Sequence, residues 1–88
     1  MAKPHISIAS DDKRAMRDTA GVIWTVTPQF HYKIFGARRS VNRDHAMGLV
    51  FRSAAETWWV EPIPDNWREL QVAKLLALRD GAGAIRVR

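Results

Sequence analysis

The stretch "ETWWVEPIPDNW" (56–67) decides the fold, because it holds three of the four tryptophans and two prolines that end a strand. Its aromatic and β-branched residues predict a strand over 56–62. Successive side chains of a strand point to opposite faces, so Trp58 and Trp59 cannot enter the same core. We expect Trp58 to face the core together with Val60, and Trp59 to lie on the opposite face.

The flanking segments supply further strands. A partner strand over 48–53 completes a hairpin with 56–62. Upstream, "VIWTVT" (22–27) and "FHYKIF" (30–35) predict another hairpin, because both are rich in β-branched and aromatic residues. The tail "AIRVR" (84–88) alternates and predicts a last strand. The sequence therefore predicts an antiparallel sheet of four to five strands.

Two helices are predicted from capping residues and apolar spacing. A serine followed by two aspartates predicts a short N-terminal helix over 11–20. Asn66 and Glu69 have the spacing of a capping box, and apolar residues then recur at helical spacing up to Gly81. We therefore expect a single small α+β domain over residues 1–88, with the C-terminal helix packed on one face of the sheet.

The strand alternation divides the sheet into two chemically different faces. The face expected against the C-terminal helix carries Trp24, Tyr32, Phe51 and Trp58. The opposite face collects Thr25, Thr27, His31, Lys33, Arg52 and Trp59. That second face combines aromatic side chains with basic and hydroxyl side chains, which suits a binding surface. In the alternative interpretation, the helix over 11–20 covers this face and buries Trp59.

Composition limits the partners that the chain can meet. The net charge is +5, from 14 Lys and Arg against 9 Asp and Glu, and ten of the bases are arginine. Guanidinium groups match phosphate and carboxylate geometry, so the charge favours nucleic acid or an acidic protein surface. The N-terminus lacks a signal-peptide pattern, and no apolar run approaches the roughly 20 residues that span a bilayer. We expect a cytoplasmic protein that does not bind membranes.

The most polar connection, "GARRSVNR" (36–43), concentrates the positive charge. Arginine, serine and asparagine commonly contact phosphate oxygens. A solvated basic loop without a partner is the alternative interpretation. The predicted binding residues are Lys33, Arg38, Arg39, Arg43, Arg52 and Trp59.

Catalytic patterns are nearly absent. Cysteine is lacking, which excludes thiolate metal sites, and no histidine pair has the i, i+4 spacing of a zinc-binding helix. We therefore predict no metal, no cofactor and no enzymatic activity. A small metal-independent nuclease that uses His31 or His45 is the remaining catalytic alternative.

Two binding functions fit these features. In the first, the arginine-rich loop contacts the backbone of a nucleic acid and Trp59 stacks on a base. In the second, the chain is a protein-interaction module that inhibits or adapts a host protein by occluding its surface, with Trp59 as the anchor. Small, basic, cysteine-free proteins that phages and mobile elements use against host machinery are similar to this chain in general character.

Overall fold

The structure is a computed structural model that describes residues 13–36 and 46–87. Its strands form one five-stranded antiparallel sheet in the order β1-β2-β3-β4-β5. The elements are β1 (Arg14–Arg17), β2 (Ile23–Phe30), α1 (His31–Phe35), β3 (Met47–Arg52), β4 (Thr57–Val60), a 3-10 turn (Trp67–Glu69), α2 (Val72–Arg79) and β5 (Ala84–Val87). The predicted α+β fold, with an antiparallel sheet and the C-terminal helix on one face, is confirmed.

The main core lies between the sheet and α2, on what we call the helix face. Trp24, Phe51 and Trp58 share this face, as predicted, although Trp58 is only partly buried. Removing this apolar surface from water is the main force that holds α2 on the sheet. The buried core side chains are Met16, Trp24, Val26, Leu49, Phe51, Val60, Trp67, Leu75 and Leu76.

The described part of the predicted N-terminal helix (11–20) contains a strand instead, so that prediction is wrong. β1 pairs antiparallel with β2, with Arg17 opposite Ile23, and Met16 enters the core at 7% exposure. The Nη1 of Arg14 donates hydrogen bonds of 2.9 and 2.7 Å to two backbone carbonyls in the segment before α2. These contacts with distant residues outweigh the local capping pattern.

The residues 18–21, which end the predicted helix over 11–20, form the turn between β1 and β2. Asp18 Oδ1 accepts hydrogen bonds from the backbone N–H groups of Ala20 and Val22, both at 2.9 Å. Gly21 has a φ of 86°, a conformation that glycine adopts without steric cost. The turn therefore depends on an aspartate and a glycine that also suit a helix.

The predicted hairpin of 22–27 with 30–35 is also wrong. β2 continues through Pro28 to Phe30, and the next five residues form α1. Within residues 13–36 and 46–87, β1 pairs with β2 only up to Val26, and Pro28 has a strand neighbour on the β3 side alone. A residue without a backbone N–H is tolerated at such an edge. Tyr32 consequently lies on α1 and does not join the helix face.

The second half of the chain follows the prediction more closely. The hairpin expected over 48–53 and 56–62 is formed by β3 and β4, and the expected last strand is β5. The C-terminal helix begins later than expected, because Asn66 makes no capping hydrogen bond and precedes the 3-10 turn. Leu70 is extended, and α2 begins at Val72.

Candidate binding surface

Trp59 lies on the predicted side of the sheet, but it is completely buried. Its exposed fraction is 0%, because α1 packs over the indole. The rings of His31 and Phe35 lie edge-on to Trp59, at centroid distances of 5.3 and 5.6 Å. Gly48 leaves the space that the indole fills, since a Cβ there would lie 2.6 Å from Trp59 Cζ2. The expectation that Trp59 is open to a partner is therefore wrong.

We call the sheet face opposite α2 the basic face, after Arg17 and Arg52. Arg52 lies on β3 between Thr25 of β2 and Thr57 of β4, and Arg17 lies on β1 at the same face. Both arginines are exposed, and neither forms an ion pair within the described residues. The predicted placement of Arg52 beside Thr25 is confirmed.

Acidic groups of the described residues lie almost entirely away from the basic face. Of the described acids, only Glu61 lies at its border, where its Oε1 accepts a 2.9 Å hydrogen bond from Trp59 Nε1. The other described acids lie in the β1–β2 and β3–β4 turns or in the segment that carries α2. They are Asp18, Glu56, Asp65, Glu69 and Asp80. Apart from Glu61, the described acids therefore lie away from the basic face.

An exposed aromatic pair lies where β2 meets α1. Phe30 and Tyr32 are 39% and 42% exposed, and their rings stack at a centroid distance of 5.9 Å and an angle of 29°. Lys33 Nζ lies 6.0 Å from the centre of the Tyr32 ring. Met47, opposite Phe30 on β3, is 38% exposed. We call these four residues the aromatic end.

The aromatic end is not evident from the sequence, because residues 30–35 suit a strand that would place Tyr32 on the helix face. The position of Lys33 is also different from the expected one, since it lies on α1 and not on a strand. Pro28 was the one local feature that argued against a hairpin turn of the usual kind, because a proline–glutamine pair does not suit the tight two-residue turns. That feature alone did not show where β2 would end.

Arg38, Arg39 and Arg43 fall in 37–45, which lies outside the described residues. Both described flanks of this segment are close to the aromatic end. The N–H of Gly36 donates a 2.9 Å hydrogen bond to the Tyr32 carbonyl, and Ala46 directly precedes Met47. The described residues on both sides of 37–45, which we call the arginine segment, therefore lie beside the exposed aromatic pair.

His31 is part of the support of this surface. Its side chain is 5% exposed and packs against Phe35 and Trp59, and its Nδ1 has no hydrogen-bond partner among the described residues. Its backbone N–H donates a 2.7 Å hydrogen bond to the Ala46 carbonyl, which joins the start of α1 to the residue that follows 37–45. A substrate in solution does not reach this imidazole. His45, the other histidine of the nuclease alternative, lies outside the described residues.

The described part of the chain contains no group of three or more metal-binding side chains arranged around a common point. Within residues 13–36 and 46–87, no helix has the length and apolar character needed to cross a membrane. Comparisons of the chain with protein-family models, curated proteins and solved structures found no match.

Proposed function

We propose that the protein binds single-stranded nucleic acid through the aromatic end and the adjoining basic face. The observation that carries this proposal is the exposed Phe30–Tyr32 pair beside Lys33, next to the described residues that flank the arginine segment. Base stacking on an aromatic side chain contributes about 1–3 kcal/mol per base and tolerates any base sequence. We include a cytoplasmic location, which the composition favours, in the proposal.

Each part of the surface has a separate role in this proposal. Tyr32 and Phe30 receive the bases. Lys33 and the arginine segment contact phosphate oxygens near them, and Arg52 and Arg17 extend the phosphate contacts along the basic face. Trp59 holds α1 in place below the aromatic pair and does not touch the ligand.

The shapes of the helices favour a single strand over a duplex. Specific readers of duplex DNA usually insert a helix or a two-stranded ribbon into the major groove. Here α1 has five residues and α2 has eight, and both pack on the sheet. Exposed aromatic rings are instead suited to bases that are already unstacked.

The test is a fluorescence-anisotropy titration of labelled single-stranded DNA and RNA of about 12 nucleotides, within the site sizes of known single-strand binders. We expect Tyr32→Ala to weaken binding roughly tenfold through lost stacking. The double variant Arg38→Ala, Arg39→Ala should lower the salt slope by about 1.4, at roughly 0.7 per phosphate contact in a single strand.

Arg86→Ala is the matched control for charge. Arg86 is exposed, but it lies opposite Trp58 on the helix face, away from the proposed surface. We expect its removal to change the affinity far less than the loss of Arg38 and Arg39. Absence of binding at low salt, or an unchanged affinity in Tyr32→Ala, contradicts the proposal.

A second candidate function is supported by Met47. It lies directly across from Phe30, and both apolar side chains are exposed. Methionine, aromatic residues and arginine are enriched in protein interfaces, so the aromatic end also suits an acidic surface of a host protein. By covering that surface, the chain would inhibit or adapt the host protein. Capture of one stoichiometric protein that resists nuclease treatment, and that Met47→Ala abolishes, favours this function over the first.

A further inference from the structure

A groove on the helix face lies at the end of the sheet where the β1–β2 and β3–β4 turns meet the end of α2. Its volume is about 330 Å³, and its walls include Trp24, Trp58, Asp18, Glu56 and Arg79. Ligand pockets range from about 300 to 1,000 Å³, so this groove suits a side chain or a small fragment. None of these residues belongs to the nucleic-acid surface proposed above.

One half of the groove already holds a guanidinium. The Cζ of Arg79 lies 4.7 Å above the centre of the Trp24 ring, and its Nη1 lies 3.4 Å from Asp18 Oδ2. The Arg79 Nε also donates a 2.9 Å hydrogen bond to Asp80 Oδ1. Trp24 Nε1 donates a 2.9 Å hydrogen bond to the same Asp18 oxygen, which fixes the ring below the cation. A tryptophan and a carboxylate thus form a complete guanidinium site.

The other half of the groove has a tryptophan and a carboxylate in the same arrangement, but no guanidinium from the described part of the chain over the ring. Trp58 Nε1 donates a 2.9 Å hydrogen bond to Glu56 Oε1, so again a carboxylate fixes an indole at the groove. Trp58 is only partly buried. Among the described residues, no lysine or arginine lies over its ring, unlike Arg79 over Trp24. This half has the aromatic surface and the negative charge, and Arg86, which lies across from Trp58 on β5, is exposed and does not lie over the ring, so the ring can receive a cation from a partner.

The charge of the groove identifies the ligand class. The lining of the groove includes three carboxylates, those of Asp18, Glu56 and Asp80, and one guanidinium, that of Arg79, in a chain whose net charge is +5. This local excess of negative charge attracts a cation and opposes a phosphate. A planar guanidinium stacks on an indole and pairs with a carboxylate more favourably than an ammonium group does.

We propose that this groove binds an arginine side chain of a partner protein, stacked on Trp58 and paired with Glu56. The protein would then hold a basic partner on the helix face while its basic face remains available for an anion. The proposal does not depend on the nucleic-acid function, because the two sites share no residue.

The test is a titration with Nα-acetylarginine amide, followed by the indole N–H signal of Trp58 in ¹H–¹⁵N spectra. Nα-acetylcitrulline amide is the neutral control ligand of nearly the same shape. Glu56→Gln removes the charge but keeps an oxygen that accepts the Trp58 hydrogen bond. Glu61→Gln is the matched control, because Glu61 makes the same hydrogen bond to Trp59 on the other side of the sheet.

We expect a saturable shift of the Trp58 signal with acetylarginine amide and little shift with acetylcitrulline amide. Glu56→Gln should weaken the binding roughly three- to fivefold, the upper part of the range of an exposed charge pair, whereas Glu61→Gln should leave it unchanged. Circular dichroism first checks that both variants fold.

Any one of the following results would overturn the proposal. They are the absence of a saturable shift, equal binding of acetylcitrulline amide, and wild-type affinity in a folded Glu56→Gln variant. Equal binding of Nα-acetyllysine amide would show a general cation site and would also refute the guanidinium assignment. Oligonucleotide affinity, measured on the same Glu56→Gln protein, separates this test from the nucleic-acid proposal, because it should equal that of the wild type.

Discussion

Trp59 provides a direct test of the packing that supports the aromatic end. The side chain is 0% exposed and fills the space between Gly48 and α1. Replacing a buried aromatic residue with alanine costs about 3–5 kcal/mol, because apolar burial is lost and a cavity remains. An 88-residue domain has a free energy of unfolding of about 4–13 kcal/mol, at 0.05–0.15 kcal/mol per residue. We therefore expect Trp59→Ala to remove a large part of the stability or to unfold the domain.

The measurement is urea unfolding followed by far-ultraviolet circular dichroism, since the substitution removes a fluorescent reporter. Trp58→Ala is the matched control, because Trp58 is the adjacent tryptophan and is only partly buried. We expect its loss of stability to be smaller by at least about 1 kcal/mol, in proportion to the apolar area that it buries. The reasoning is refuted if Trp59→Ala unfolds within about 0.5 kcal/mol of the wild type, the range of ordinary surface substitutions.

Two further predictions concern the same fold. Gly48→Ala places a Cβ 2.6 Å from the Trp59 ring and 2.8 Å from the Val60 carbonyl oxygen, so we expect a loss of about 1–3 kcal/mol from overpacking; an unchanged melting temperature would contradict this packing. The hydrogen bond from the Trp24 indole, together with that from the Val22 N–H, lowers the pKa of Asp18 below its usual 3.8. Because the folded-state pKa lies below the unfolded value, this stabilisation is present above the unfolded pKa and is lost as the pH falls through the folded pKa. Melting temperatures measured below pH 3.8 should therefore fall more steeply for the wild type than for Asp18→Asn, and equal slopes would refute the assignment.

The alternation of β4 could be predicted because a strand has a period of two. It placed Trp58 and Trp59 on opposite faces correctly. It could not predict which face was covered, because that depends on whether 31–35 forms a strand or a helix. The residues of 31–35 include several that suit strands, and tertiary packing on Trp59 decided the outcome.

The N-terminal error has a similar physical cause. Capping residues favoured a helix over 11–20, and capping acts only over a few neighbouring residues. The contacts that favour β1 come from Trp24, opposite Met16, and from the carbonyls of Trp67 and Leu70 bound by Arg14. The two carbonyls lie 53 and 56 residues from Arg14 in the sequence, so no local pattern shows them.

The candidate surfaces also differ in how far the sequence predicts them, depending on whether they follow from local patterns or from tertiary contacts. The basic character of the face that carries Arg52 follows from composition and alternation. To predict the aromatic end, one must know that β2 ends at Phe30 and that α1 begins at His31, and the sequence does not mark this boundary clearly. The groove could not be predicted locally, because it forms only where three separate segments, around Trp24, Trp58 and Arg79, meet at one end of the sheet.

The most direct test of the central claim is a map of backbone amide shifts when a single-stranded oligonucleotide is added at low salt. The account predicts saturable shifts at Tyr32, Lys33 and Arg52, and none at Glu56 or Arg79. Shifts confined to the groove, or no shifts at all, would contradict it.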